Sequence, residues 1–218
     1  MSATDLAARC DALYTAAIAD ILDRRGLTAQ TLPPELVPLR EGTRLAGPAY
    51  PIKGRPALGG DYDASIRKVL DMLASVPPEH VCVYETGDHE TAHLGELSVT
   101  ALQARGVAGA VIDGGCRDVD LIVRANFPVF SRFTTPQDST SRWELVGHGD
   151  VELAIGGVRV ARGDWIVADR DGIVVVPALI AEDVIAEAEE KAATENDVRA
   201  AIRAGAAPLD AYERYGTF

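Results

Sequence analysis

Lysine is nearly missing from this chain: only Lys53, Lys68 and Lys191 occur in 218 residues. An imine-forming enzyme needs a desolvated lysine amine as its nucleophile, so such chemistry has few places to sit. Lys53 follows an apolar stretch and is the best placed of the three, but Gly54 and the loop-like run after it favour an ordinary surface lysine. Cysteine is equally sparse. Cys10, Cys82 and Cys116 are odd in number and include no C-x-x-C pair, which argues against a disulfide framework and for reduced thiols in a cytoplasmic protein. A basic excess is also lacking: 21 Lys and Arg stand against 33 Asp and Glu, a net charge of −12. That balance argues against nucleic acid as the main partner, because phosphate binding wants a basic surface. No apolar run is long enough to span a bilayer, and Met1–Arg9 is too polar and short for a targeting segment. Internal repeats and low-complexity stretches are lacking as well.

What is present suits a globular core. The hydrophobic fraction is 47%, and the length predicts one domain over residues 1–218. Thr4–Arg25 reads as a helix with Leu6, Cys10, Leu13, Ala17, Ile21 and Leu22 on one side, ended by Gly26. Within it, Thr15 and Asp20 read as solvated polar positions. Thr31–Leu39 is Pro-rich and irregular, Gly42–Ile52 has strand character, and Gly54–Tyr62 reads as a Gly-rich loop. Asp63–Ser75 reads as a helix, His80–Glu85 as a strand and Thr86–Leu94 as the loop after it.

The centre of the chain is Leu94–Val119. A Gly95-Glu96 pair leads into an amphipathic run, Leu97–Arg105, with Leu97, Ala101 and Leu102 on one face and Gly106 as its stop. An apolar strand, Ala108–Ile112, follows and runs into Asp113-Gly-Gly-Cys-Arg-Asp118. Val119–Ala125 continues as a helix and Phe127–Phe130 as a strand. The resulting β-α-β-α-β order predicts a parallel sheet with its chemistry at the strand ends. After the polar loop Ser131–Ser141 the pattern changes to short strands, Glu152–Ile155, Val158–Ala161, Trp165–Asp169 and Gly172–Pro177, joined by tight turns. Ala181–Arg203 is a long final helix with a thin apolar face (Val184, Ile185, Ala188, Ala192), suited to packing in part on a neighbouring subunit. The fold class is therefore α/β, three layers, with mixed parallel and antiparallel sheets.

Several groupings bear on function. Arg117 can clamp a carboxylate through two parallel hydrogen bonds, and Asp118 beside it can hold a divalent cation. The bland alternative is a salt bridge with Asp118 capping the next helix. Glu96 lies one helix and one strand upstream, a geometry that can return it to Arg117. His89-Glu90-Thr91-Ala92-His93 matches H-E-x-x-H, but zinc binding by that pattern needs a helix. Gly87 before it and Gly95 after it leave little room for one, and a third ligand from Glu144 or Glu152 has no supporting pattern. Cys116 reads as a buried filler. Asp164, Asp169 and Asp171 read as turn residues. Glu195 and Arg199 form an i,i+4 pair on the last helix.

The stretch G-E-L-S-V-T-A-L-Q-A-R-G-V-A-G-A-V-I-D-G-G-C-R-D resembles the RraA-like family, which includes the class II 4-hydroxy-4-methyl-2-oxoglutarate and 4-carboxy-4-hydroxy-2-oxoadipate aldolases. The resemblance extends to R-L-A-G-P-A-Y, F-P-V-F, Gly156–Pro177 and the E-x-x-x-R of the terminal helix. It implies a swivelling β/β/α fold assembled as trimers or hexamers, with sites at subunit interfaces. It further implies a metal-dependent lyase that cleaves a 4-hydroxy-2-oxo acid to pyruvate and a second oxo acid, with oxaloacetate decarboxylation as a side activity. On this resemblance Mg²⁺ or Mn²⁺ is held by Asp118, and Glu195 of a neighbouring subunit closes the metal's outer shell. Arg117 binds the substrate oxygens, backbone N–H groups at Gly95, Glu96 and Leu97 hold the carboxylate, and Glu96 positions the water that takes the hydroxyl proton. Glu96 stands where the aldolase branch carries Asp. Other members of the family are non-catalytic regulators that bind an RNA-degrading enzyme, and an intact Glu96, Arg117 and Asp118 set favours the enzyme.

Overall fold

A computed structural model describes residues 3–218; of the Met1–Arg9 segment, Met1 and Ser2 lie outside them. The chain begins with α1 (Ala3–Asp11) and α2 (Thr15–Arg24). One helix was expected over Thr4–Arg25; a turn at Ala12–Tyr14 divides it. The apolar phase survives the break, so Leu6, Cys10, Leu13, Ala17, Ile21 and Leu22 are all buried as expected. There follow β1 (Val37–Pro38), β2 (Leu45–Pro56), α3 (Tyr62–Ser75), β3 (Val81–Glu85) and β4 (Ala92–Leu94). Next come α4 (Glu96–Ala104), β5 (Gly109–Cys116), α5 (Val119–Ala125), β6 (Val129–Thr134) and β7 (Trp143–His148). The chain ends with β8 (Leu153–Ile155), β9 (Val158–Val160), β10 (Trp165–Asp169), β11 (Gly172–Val176), α6 (Ala181–Arg203) and α7 (Pro208–Tyr215).

The main sheet has the order β1-β6-β5-β3-β2-β10-β11, with β4 added to β5 and β7 to β2. Strands β3, β5 and β6 are parallel, as the β-α-β-α-β reading required, and β2 extends the parallel set beside β3. Strands β10 and β11 form an antiparallel hairpin on the far side of β2, and β8–β9 is a separate hairpin. Alternation along the strands separates the layers. Cys82, Tyr84, Ala110 and Ile112 face the core shared with Met72, Val99, Leu102 and Ile122 of α3, α4 and α5. Val81, Val83 and Val111 face the opposite way, onto Ile166, Ala168, Ile173 and Val175 of the β10–β11 layer. The outer face of that layer, Trp165, Val167, Val174 and Val176, is covered by α1, α2 and α6. This is the expected β/β/α arrangement with mixed sheets, and the N-terminal helices and α6 close its outer side.

Several boundaries move. Strand β2 runs on through Lys53, Gly54 and Arg55, so the predicted loop begins only after Pro56. Strand β5 extends through Asp113-Gly-Gly-Cys116 rather than stopping at Ile112, and β6 takes Ser131–Thr134 from the predicted loop. The strands β1 and β7 and the helix α7 were not foreseen, and the expected loop Thr86–Leu94 ends in strand β4, which pairs with β5. In α4 the buried residues are Val99 and Leu102, whereas Leu97 is 80% exposed. The expected face was one residue out of phase at its start.

Candidate active site

Strand β5 delivers Arg117 and Asp118 to the sheet edge beside the N-terminus of α4. The end of β5 is tied down there by a hydrogen bond from Arg117 N–H to the Leu94 carbonyl (2.9 Å). Asp118 occupies the N-cap position of α5 in the left-handed region (φ 59°, ψ 33°) but makes no side-chain cap there. Its carboxylate turns instead to the neighbouring helix, where Oδ2 accepts the Glu96 N–H (3.1 Å). An anion is favoured at that position by the helix dipole and its unpaired amides. So Asp118 is neither the cap of its own helix nor half of a tight Arg–Asp pair: Arg117 Nε lies 3.9 Å from Asp118 Oδ2 and Arg117 Nη1 3.7 Å from Asp138 Oδ1. Both distances exceed a hydrogen bond, which leaves guanidinium donors for a ligand. Gly95 makes this approach feasible, since a Cβ there would stand 2.7 Å from Asp118 Oδ2 and 3.1 Å from Arg117 Nε.

Glu96, Arg117, Asp118 and Gly95 are thus brought together as expected. The Glu96 carboxylate is turned along α4, where its Oε1 accepts the Thr100 hydroxyl (2.8 Å). Leu97 contributes only backbone. Asp113, the other acid near the strand end, pairs with Arg132 and lies outside this group. Cys116 is buried, and desolvation pushes its thiol up to about 12, as suits a filler.

A cleft of about 100 Å³ opens on one side of Arg117, lined among others by Tyr84, His93, Ser98, Asp138 and Trp143. A second, more open hollow on its other side is bordered by Asp118, Thr134 and Pro136. The H-E-x-x-H segment helps wall the first cleft but is not a zinc helix. His89 is exposed, and His93 in the middle of β4 has a side chain only 1% exposed. Glu144 pairs with Arg55 and Glu152 with Arg159. His93 Nε2 lies 3.1 Å from Asp88 Oδ2. Asp88 also takes the Glu90 N–H (2.8 Å) and the Thr91 hydroxyl. Burial pushes the His93 imidazole down to about 4, against the pull of Asp88. Burial works to raise the Asp88 carboxyl, but its hydrogen bonds and His93 outweigh it and hold it below its usual range. The His93 ring meets Trp143 edge-on, with centroids 4.9 Å apart, and Trp143 donates to the Thr86 carbonyl (2.9 Å). Reading the sequence alone missed Asp88, Asp138 and Tyr84. Only D-H-E-T, an Asp whose side chain caps the following turn, carried a local signal.

The remaining candidates fall elsewhere. Lys53 pairs with Glu85 (3.1 Å) and is about one-third exposed, so it is no buried amine. Glu195 takes hydrogen bonds from Lys191 (2.5 Å) and from Tyr14 within its own chain, in place of the i,i+4 pair expected with Arg199. Burial works to raise its carboxyl, but those bonds outweigh it and hold it low. Asp20 lies 3.1 Å from Lys191. Thr15 is buried rather than solvated; its N–H and hydroxyl bind Asp169 (2.9 and 2.7 Å). Asp164 accepts the Ala161 and Ala178 N–H groups (2.8 and 3.0 Å) in its turn.

Among the described residues no group of three His, Cys, Asp or Glu side chains converges as a metal cage. That donor set does not suit structural zinc, which wants four protein ligands. It does suit Mg²⁺ or Mn²⁺, which keep several waters and need one or two carboxylates plus a chelating substrate. Asp118, 42% exposed and 3.9 Å from Arg117, is a carboxylate that could hold it.

The RraA-like family model, described as Aldolase/RraA, matches residues 15–175. A protein of Halalkalibacterium halodurans named "Putative 4-hydroxy-4-methyl-2-oxoglutarate aldolase" is 32% identical over 198 residues, 91% of this chain and 89% of that one. The crystal structure of an uncharacterized protein from Pseudomonas syringae pv. tomato is similar with a TM-score of 0.87 and 31% identity, over 98% of this chain and 95% of that one. Streptomyces coelicolor RraAS2, described as an unusual member of the RNase ES inhibitor RraA protein family, is similar with a TM-score of 0.80 and 29% identity, over 89% and 96% of the two chains. With this fold, this arrangement at the end of β5 and a model match over most of its length, the chain belongs to the RraA-like family.

Proposed function

We propose that the protein is a divalent-metal-dependent lyase that cleaves a 4-hydroxy-2-oxo acid to pyruvate and a second oxo acid. The observation that carries this reading is the Arg117 guanidinium, which stands beside the α4 N-terminus with Asp118 and Asp138 at 3.9 and 3.7 Å, too far for either to take its hydrogen bonds. A pyruvyl unit presents a carboxylate and an adjacent keto oxygen. Arg117 receives these oxygens and offsets the negative charge that gathers on them as the carbon–carbon bond breaks. The N-terminal amides of α4 orient the carboxylate. A cation on Asp118, Mg²⁺ or Mn²⁺, would supply Lewis-acid polarisation of the keto group. Glu96, held by Thr100, sets a second negative charge next to Asp118, which its backbone N–H binds. Glu195 of a neighbouring copy in a trimer or hexamer is the proposed outer support, and Lys191 and Tyr14 already fix its carboxylate. The same stabilised enolate serves oxaloacetate decarboxylation.

The test is pyruvate release from 4-hydroxy-4-methyl-2-oxoglutarate and from oxaloacetate, with Mg²⁺ and then with EDTA. Metal-dependent release is expected from both, and Arg117→Ala should lower it by about 100-fold or more while leaving the fold intact. A near-wild-type rate in that variant would remove the central claim. Similarity to RraAS2 supports a second reading, a regulator that binds a protein partner. Partner binding that survives Asp118→Ala, with no pyruvate from either acid, would favour it.

A further inference from the structure

Tyr84 and His93 both line the Arg117 cleft, and each carries a buried polar atom, Oη and Nδ1, with no hydrogen-bond partner among the described residues. A third such atom, Arg44 Nε, lies apart from them, 3.5 Å from Asp11. Buried polar groups are almost always paired, and two orphans on one small cleft call for an explanation. Their chemistry is specific. Asp88 is a carboxylate and can only accept, so His93 Nε2 carries the ring proton and Nδ1 is a bare acceptor. Trp143 cannot serve Nδ1 from its indole, because that N–H is already given to Thr86. The Cδ2 edge of the ring is packed on Gly114, where a Cβ would come within 3.1 Å. The cleft therefore offers an acceptor for a hydroxyl proton at His93, a hydroxyl at Tyr84 and a cation at Arg117, against apolar walls from Ile66 and Met72.

We propose that His93 and Tyr84 form the subsite that binds the alcohol of a hydroxy acid whose carboxylate rests on Arg117, with Asp88 fixing the His93 tautomer. The substrate hydroxyl donates to His93 Nδ1 and Tyr84 Oη completes its hydrogen bonding. The inference rests on the lyase reading for the identity of that alcohol, the 4-hydroxyl of the 4-hydroxy-2-oxo acid. It gives the H-E-T-A-H segment a role that is not metal binding.

The experiment compares two reactions in each variant. Oxaloacetate carries no alcohol, whereas 4-hydroxy-4-methyl-2-oxoglutarate does. Tyr84→Phe and His93→Phe should each lower kcat/KM for the hydroxy acid by about tenfold or more and leave oxaloacetate decarboxylation within about twofold. Asp88→Asn presents an amide N–H to Nε2 and so moves the ring proton to Nδ1; it should behave like His93→Phe. Tyr84→Phe removes only an unpaired hydroxyl, so its melting temperature should be no lower than wild type, which separates binding from folding. Equal losses in both reactions, or no loss in either, would overturn the proposal. Should neither acid yield pyruvate, the lyase reading fails and binding decides the matter. Calorimetry would then compare 4-hydroxy-4-methyl-2-oxoglutarate with 4-methyl-2-oxoglutarate, the same skeleton without the alcohol. A preference of about tenfold for the alcohol, lost in Tyr84→Phe, would sustain the subsite. Equal affinity, or no binding of either acid, would overturn it.

Discussion

At the scale of single residues, Asp118 joins an unusual backbone to a displaced side chain. The left-handed conformation costs most L-residues about 1–2 kcal/mol, and Asp and Asn tolerate it best. Asp118→Asn should therefore melt close to wild type yet lose metal-dependent pyruvate release. Asp118→Ala should lose the activity and about 1 kcal/mol of stability as well. Thermal melts followed by circular dichroism, run beside the assay, check both. His93 makes a second prediction. Its folded pKa, about 4, lies below the ordinary histidine value. The unfolded chain therefore takes up the proton first as pH falls. The stability tied to neutral His93 is fully present above about pH 6.5 and is lost between there and about pH 4, up to roughly 3 kcal/mol. Asp88, held low, adds a further loss below its ordinary value. Urea unfolding at pH 7 and pH 5 should show a smaller acid loss in His93→Phe than in wild type.

At the scale of elements, helix α2 shows how a cap can come from far away in sequence. Tyr14 at its N-cap makes no side-chain capping bond, and the cap is supplied by Asp169 at the end of β10. Asp169→Ala should cost about 2 kcal/mol, because it strands the buried Thr15 N–H and hydroxyl. Activity at a permissive temperature should be unaffected, and a denaturant midpoint shift beside an unchanged rate would confirm it. This arrangement also explains what the sequence could and could not reveal. The parallel strands β3, β5 and β6 were legible because apolar runs alternate with helical ones, and α6 was legible at both ends. The turn between α1 and α2 was invisible because the apolar phase carries across it. Strand β7 was invisible because only Trp143 is buried along it. In the site, Arg117 and Asp118 are chain neighbours, and Glu96 follows from one β-α-β step. Tyr84 and Asp138 reach the same cleft from separate segments, Asp88 bears on it only through His93, and no local pattern announces that meeting.

At the scale of the whole molecule, the three thiols report on its cores. Cys10 lies under the N-terminal helices, and Cys82 and Cys116 lie between the main sheet and α3–α5. Burial raises all three thiols, Cys10 and Cys116 to about 12. The native protein should therefore resist alkylation by iodoacetamide at pH 8. If residues 3–218 unfold as one domain, all three should become reactive in a single denaturant transition, which peptide mass mapping of the labelled sites would show. Separate transitions for Cys10 and the other two would divide the molecule.

Strand β2 carries three ladders within twelve residues: Leu45–Pro48 with β10, Ala49–Lys53 with β3 and Ile52–Pro56 with β7. One irregularity, between Lys53 and Gly54, already takes up a register shift against β7. Adding or deleting a residue before that point would turn side chains to the wrong face in more than one ladder at once. Relatives that keep this architecture should therefore vary in length after Pro56, in the turn before α3, and hold the count from Leu45 to Lys53 constant.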